Sequence, residues 1–207
     1  MTNEQAAELA QLGSATLGES GGIPMAPRVR PVWRGARVSA PAFPVACTTT
    51  DNLAIHVAVA EAPAGSVLVV DVGSDGARGY WGEVLTTGAE ARGLSGLVID
   101  GGVRDVDALE AHAFPVFSTM VALRGATKQE PGRVGLPARV GGVEVNRGDW
   151  IVGDADGVTV IPAARVADVL AAGRARAAKE RHYFDELRAG RTTLQLLSLD
   201  DAPVERA

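Results

Sequence analysis

The sequence predicts a mixed α/β fold: a parallel α/β layer joined to a β-rich layer and closed by a long C-terminal helix. Three observations lead there. Unbroken apolar runs at residues 66–72, 95–99 and 114–118 alternate with helix-like stretches at 81–93 and 105–113. Strands that are apolar throughout are buried on both faces, as in parallel sheets with helical crossovers. From Arg139 onward the chain turns to short strands and tight turns, a pattern of antiparallel pairing. After Pro162 a helical pattern runs from Ala163 to Ala189 and stops at Gly190.

The elements follow in order. Residues 3–19 are helix formers with Leu9, Leu12 and Leu17 as apolar points. Residues 21–31 are crowded with Gly and Pro and read as loop. Residues 36–39 and 43–49 read as two short β runs. Asp51 reads as the N-cap of a helix with Leu53, Val57 and Ala60 on one face, ended by Pro63 and Gly65. Residues 73–79 are loop, and the 81–93 helix closes on Gly93. Strands at 139–145 and 150–153 precede an Asp154-Ala155-Asp156-Gly157 turn and a return strand at 158–161. In the last helix Val166, Leu170, Gly173, Ala177 and Phe184 form a stripe. Glu180 lies within about 40° of the centre of that stripe. It needs a partner there, or sits on the stripe's edge and reaches solvent. No linker or repeat divides the chain, so residues 1–207 read as one domain.

Composition narrows the function. The net charge is −5, with no block of Lys or Arg, and aromatics make up 4%. Nucleic-acid binding would need a basic stripe or stacking platforms, so no nucleic-acid partner is expected. No apolar run reaches membrane-spanning length, so no membrane partner is expected. The N-terminus lacks a basic segment followed by an apolar one, so a cytoplasmic location is expected. Cys47, the sole cysteine, can form neither an internal disulfide nor a thiolate cluster and reads as buried and inert. His56, His112 and His182 share no metal-ligand spacing and read as structural or exposed.

The stretch Leu-Val-Ile-Asp-Gly-Gly-Val-Arg-Asp, residues 97–105, places Arg104 and Asp105 just past a strand's carboxyl end, where parallel α/β folds bind ligands. Taken alone, Asp105 could equally be the N-cap of the next helix. Glu83 opens the preceding helix, and adjacent strand ends of a βαβ unit meet, so Glu83, Arg104 and Asp105 could converge. The glycines of residues 73–79 fit neither a dinucleotide fingerprint nor a P-loop, but could form a wall that a small substrate approaches closely.

Gly82-Glu83-Val84-Leu85, with twenty residues between the acid and Arg104-Asp105, resembles the motif of the RraA-like family. Residues 51–56, residues 148–162 and the closing helix also look familiar, so the resemblance covers nearly the whole chain. The branch it resembles is 4-hydroxy-4-methyl-2-oxoglutarate aldolase, also called 4-carboxy-4-hydroxy-2-oxoadipate aldolase. The resemblance implies an αββα sandwich of the swivelling β/β/α type, assembled as a trimer or hexamer. It implies a class II aldolase that releases pyruvate from 4-hydroxy-2-oxo acids and can decarboxylate oxaloacetate. Asp105 would hold Mg²⁺ or Mn²⁺ largely through waters, and Arg104 would contact the substrate. Backbone N–H groups of Gly82, Glu83, Val84 and Leu85 would meet the 2-oxo acid, and Asn52 would add a contact. Glu83 would position a water near Arg104, and Glu180 would reach the site of a neighbouring subunit. One carboxylate with several waters and substrate oxygens suits magnesium. A non-catalytic branch that inhibits a ribonuclease by protein contact is the alternative. A methyltransferase lacks a convincing nucleotide loop here.

Overall fold

The computed structural model describes residues 2–205. In chain order its elements begin with α1 (Asn3–Gly18), β1 (Ile23–Pro24), β2 (Arg30–Pro31), β3 (Val38–Cys47), α2 (Leu53–Glu61), β4 (Val67–Asp71), β5 (Gly79–Trp81), α3 (Glu83–Ala91), β6 (Gly96–Asp100) and β7 (Gly102–Val103). Then come α4 (Val106–Ala111), β8 (Val116–Ser118), β9 (Met120–Val121), β10 (Gly132–Val134), β11 (Ala138–Val140), β12 (Val143–Val145), β13 (Trp150–Asp154) and β14 (Gly157–Ile161). A short 3-10 turn (Ala163–Arg165) leads into α5 (Val166–Arg188), and α6 (Thr193–Leu197) follows.

One curled sheet runs β1-β14-β13-β3-β4-β6-β8-β2, with β10 on the second half of β3. Strands β3, β4, β6 and β8 are mutually parallel, and β13 and β14 join antiparallel. Side-chain alternation sorts the apolar residues into three cores. Leu68, Val70, Leu97 and Ile99 face α2 and α3. Their neighbours Val67, Val69 and Val98 face inward against Val140, Val145, Ile151 and Val160. Trp150, Val152 and Ile161 face outward against Leu9 and Leu17 of α1 and Val169 and Leu170 of α5. Three cores between four layers make an α/β/β/α sandwich with a long C-terminal helix.

Several local expectations change. Residues 21–31, expected as loop, include the short strands β1 and β2, and the strand expected at 139–145 is the β11–β12 hairpin. Within residues 36–49 one ten-residue strand, Val38–Cys47, forms where two were expected. Pro41 and Pro44 flank the handover of β3 from β13 (Val38–Pro41) to β10 (Val45–Cys47), where the missing N–H groups cost least. Helix α1 is broken at Gly13 (φ 80°, ψ 165°), and the freed Ser14 N–H donates to Asp154 Oδ2 at 2.7 Å. Helix α3 starts at Glu83, because Tyr80 and Trp81 are buried in β5. Asn52 holds the N-cap position of α2, while the Asp51 carboxylate takes the Leu53 N–H at 2.8 Å.

Candidate active site

Beyond the carboxyl ends of β4 and β6, the chain builds a small parallel sheet, β5-β7-β9. Gly79 pairs with Gly102 and Trp81 with Val103. The Arg104 N–H donates to the Trp81 carbonyl at 2.9 Å. This register sets Arg104 and Asp105 beside the start of α3. A pocket of about 250 Å³ opens there. Asn52 and His56 of α2, residues 79–82, Val84, Leu85, Arg104, Asp105, Gly125, Ala126 and Lys128 line it. A larger cavity of about 770 Å³ lies between α1, β3 and the start of α5, but no titratable side chain lines it.

Asp105 occupies the N-cap position of α4 but caps nothing there. Its backbone is left-handed (φ 58°, ψ 39°), uncommon for a residue with a side chain. The turn swings the carboxylate back toward α3, where Oδ2 accepts the Glu83 N–H at 3.1 Å and lies 3.7 Å from Arg104 Nε. Asp105 thus caps the neighbouring helix, and its side chain stays 42% exposed. Gly82 has extended backbone open to any residue, so space explains it: a Cβ would overlap Asp105 Oδ2 and press on Arg104 Cγ. At Gly79 a Cβ would lie 3.0 Å from Arg104 Cδ. The two glycines form the bed on which Arg104 lies.

The α2 side is different in kind. Asn52 is buried and donates from Nδ2 to the Tyr80 carbonyl at 2.8 Å, which leaves Oδ1 without a partner. One turn later, His56 Nε2 is also buried without a partner. Burial, and then the Lys128 charge, push the His56 imidazolium toward deprotonation, against a smaller opposing pull from Asp51. Lys128 is exposed, on a segment strapped down by Asp51, whose Oδ2 accepts the Gln129 N–H at 2.6 Å. Burial alone would raise the Asp51 carboxyl. Hydrogen bonds from the Gln129, Leu53 and Glu130 N–H groups and the Thr127 hydroxyl outweigh it and hold the group down to about 2.

The structure therefore brings Asn52, Gly82, Val84, Leu85, Arg104 and Asp105 to one pocket. Glu83 contributes its backbone to the cluster. Its side chain is 58% exposed, does not line the pocket and points toward His112 Nε2 at 3.7 Å, while His112 Nδ1 bonds Glu90 at 2.8 Å. Glu180 lines no part of this pocket: it pairs with Arg176 at 2.9 Å on the half-buried edge of the α5 stripe, and Arg176 also pairs with Glu19. Any part for Glu180 in the chemistry would need a second copy of the chain. The expected wall at residues 73–79 is reduced to Gly79. The Gly76 carbonyl instead accepts the Gly102 N–H at 2.8 Å, tying the loop to β7. Asp100 fastens loops, accepting from Arg28 and from the Gly141 N–H. Cys47, expected to be buried, is half-buried, and desolvation pushes its thiol up to about 12. His56 is the pocket residue that sequence reasoning passed over; its i, i+4 spacing from Asn52 was the available signal.

Among the described residues, no three His, Cys, Asp or Glu side chains converge on a metal position. Asp105, with one carboxylate oxygen free of partners and glycine beneath it, suits a cation that keeps most of its waters.

A protein-family model, RraA-like (Aldolase/RraA), matches residues 12–160. The chain belongs to the RraA-like family. A Halalkalibacterium halodurans protein, provisionally named 4-hydroxy-4-methyl-2-oxoglutarate aldolase, is 36% identical over 171 residues, 81% of each chain. An uncharacterized protein of Pseudomonas syringae pv. tomato superposes with a TM-score of 0.85 at 28% identity, covering 94% of this chain and 93% of that one. The RNA-processing inhibitor RraA of Thermus thermophilus superposes at 0.65 with 26% identity, covering 72% and 92%. Among the described residues, no helix is long and apolar enough to cross a membrane.

Proposed function

We propose that the chain is a divalent-metal-dependent aldolase that cleaves 4-hydroxy-2-oxo acids such as 4-hydroxy-4-methyl-2-oxoglutarate, releasing pyruvate. Oxaloacetate decarboxylation would be a side activity. The observation that carries the reading is Arg104 and Asp105 side by side in the 250 Å³ pocket, against the first N–H groups of α3.

Cleavage breaks the C3–C4 bond. The C4 hydroxyl gives up its proton, C4 becomes a carbonyl, and C3 of the pyruvate enolate takes a proton. Asp105 would hold Mg²⁺ or Mn²⁺ through its free oxygen and through waters. When bound, such a cation supplies Lewis-acid stabilisation of the negative charge that develops on the 2-oxo group. Arg104, its stem held on Gly79 and Gly82, binds a substrate carboxylate or the developing oxyanion with a planar pair of donors. The N–H groups of Gly82, Val84 and Leu85 orient the 2-oxo acid, with Asn52 beside them. Glu83 could hold a proton-accepting water only after leaving His112, and Glu180 only from a second copy, in a trimer or hexamer. On this reading residues 1–207 work as one cytoplasmic domain.

The test is pyruvate release from 4-hydroxy-4-methyl-2-oxoglutarate with and without Mg²⁺. Turnover that ignores both the metal and Asp105→Ala sinks the proposal. A second reading, a regulator that binds a ribonuclease, draws on the likeness to the Thermus thermophilus RNA-processing inhibitor and on the net charge of −5. Capture of an endoribonuclease by a chain without turnover would favour it.

A further inference from the structure

The pocket contains two buried polar atoms that no described residue satisfies, Asn52 Oδ1 and His56 Nε2. They stand one helical turn apart on α2 and line the same pocket as Arg104 and Asp105. A buried polar atom without a partner costs free energy and is rarely left so unless a ligand or water completes it. The Asn52 amide is oriented by its donation to Tyr80, so Oδ1 can only accept. A carboxylate, which also only accepts, cannot satisfy it. A hydroxyl can donate to Oδ1 and at the same moment accept from a ring N–H.

We infer that Asn52 and His56 together form the subsite for the substrate's C4 hydroxyl, with His56 as a specificity-determining residue. The inference rests on the reading of this pocket as a 4-hydroxy-2-oxo acid site. The hydroxyl donates to Asn52 Oδ1 and accepts from His56 Nε2–H. As the C3–C4 bond breaks, the hydroxyl proton leaves Asn52 Oδ1 for the proton-accepting water of the proposed function, the C3–C4 electron pair passes to the pyruvate enolate, and the His56 N–H remains bonded to the oxygen that becomes the carbonyl. Burial and the neighbouring Lys128 favour the neutral ring, so the bond forms without placing a buried imidazolium beside the exposed Lys128 charge. Lys128 remains available to a carboxylate on the same carbon. A site built to bond a hydroxyl discriminates strongly against a ligand without one, because its own polar atoms are then left unpaired.

The experiment compares 4-hydroxy-4-methyl-2-oxoglutarate with 4-methyl-2-oxoglutarate, which lacks only the hydroxyl, by calorimetry on protein freed of divalent metal, where turnover does not consume the ligand. Cleavage and oxaloacetate decarboxylation are measured on the same preparations after Mg²⁺ is restored. Wild type should bind the hydroxy acid at least about 10-fold more tightly. His56→Phe, which keeps the ring shape and removes the nitrogen, should leave only the part of that preference that Asn52 provides and cut kcat/KM for the hydroxy acid about 30-fold, with a much smaller loss on oxaloacetate. His56→Gln, which restores a donor, should recover part of the preference. Equal binding of the two ligands by wild type overturns the inference, as does a His56→Phe enzyme that loses both reactions in equal proportion. An absence of cleavage with the binding preference intact would sink the aldolase reading and leave the hydroxyl subsite standing.

Discussion

Two aspartates of this chain each hold the first N–H of a helical segment and put that bond to opposite uses. Asp154 accepts the Ser14 N–H at 2.7 Å, the Ser14 hydroxyl at 2.6 Å and the Asp156 N–H at 3.0 Å, and is almost fully buried. Asp105 takes one hydrogen bond, from the Glu83 N–H, remains part-exposed and lines the pocket. The motif is the same, so the capping bond says nothing about role. Saturation distinguishes them: an acid whose oxygens are all bonded locks the chain, and an acid with a free oxygen beside a guanidinium has capacity left for a ligand. Asn52 follows the same logic in a neutral side chain, one end tied down and the other free.

The contrast can be broken experimentally, and its largest expected effect is on turnover. Arg104→Ala and Asp105→Ala should each lower kcat/KM by about 10³-fold, while the loss of one exposed capping bond costs only about 1 kcal/mol of stability. A thermal shift as large as the kinetic loss would contradict the assignment. Asp154→Ala should do the reverse. Stranding the Ser14 and Asp156 donors should cost about 3 kcal/mol in urea unfolding and leave turnover per folded molecule unchanged. Next comes Gly82→Ala, whose Cβ displaces the Asp105 carboxylate; kcat/KM should fall about 100-fold by misplacement of the reacting groups.

The smallest effect concerns Asp51. Its carboxyl sits at about 2 when folded against 3.8 otherwise, so its contribution is present above pH 3.8 and fades as pH falls toward 2. Asp51→Asn should therefore cost about 2 kcal/mol at pH 7, with the gap to wild type closing near pH 2. Urea midpoints measured across that range decide it; a gap independent of pH would show that the charge does not matter.

What the sequence made legible followed short-range rules. The strands β4, β6 and β8 announced themselves because both faces are buried; Arg104-Asp105 could be placed past a strand end, but spacing left Asp105 open between a ligand site and a helix N-cap. What stayed hidden depends on partners far along the chain. The break in α1 is matched by Asp154, 140 residues away. The turned carboxylate of Asp105 depends on a left-handed backbone that no Gly or Asn advertised. His56 looked like one more residue in a helical pattern until the segment around Lys128 closed over it. The family resemblance supplied residue roles that spacing alone could not. It did not foresee that the Glu83 side chain would turn to His112 or that Glu180 would pair with Arg176.

The central position of β3 has a consequence for how the molecule comes into being. One edge of β3 pairs with β4, which follows within thirty residues, while β13 on the other edge arrives more than a hundred residues later. The inward row Val67, Val69 and Val98 cannot be covered until Ile151 and Val160 exist. At about 5–20 residues per second of synthesis, that row stays uncovered on a growing chain for several seconds. Pairing across such long stretches is slow in refolding as well, and the uncovered row is prone to aggregate meanwhile. The sheet is therefore completed only when its last two strands arrive, with nearly four fifths of the chain already made.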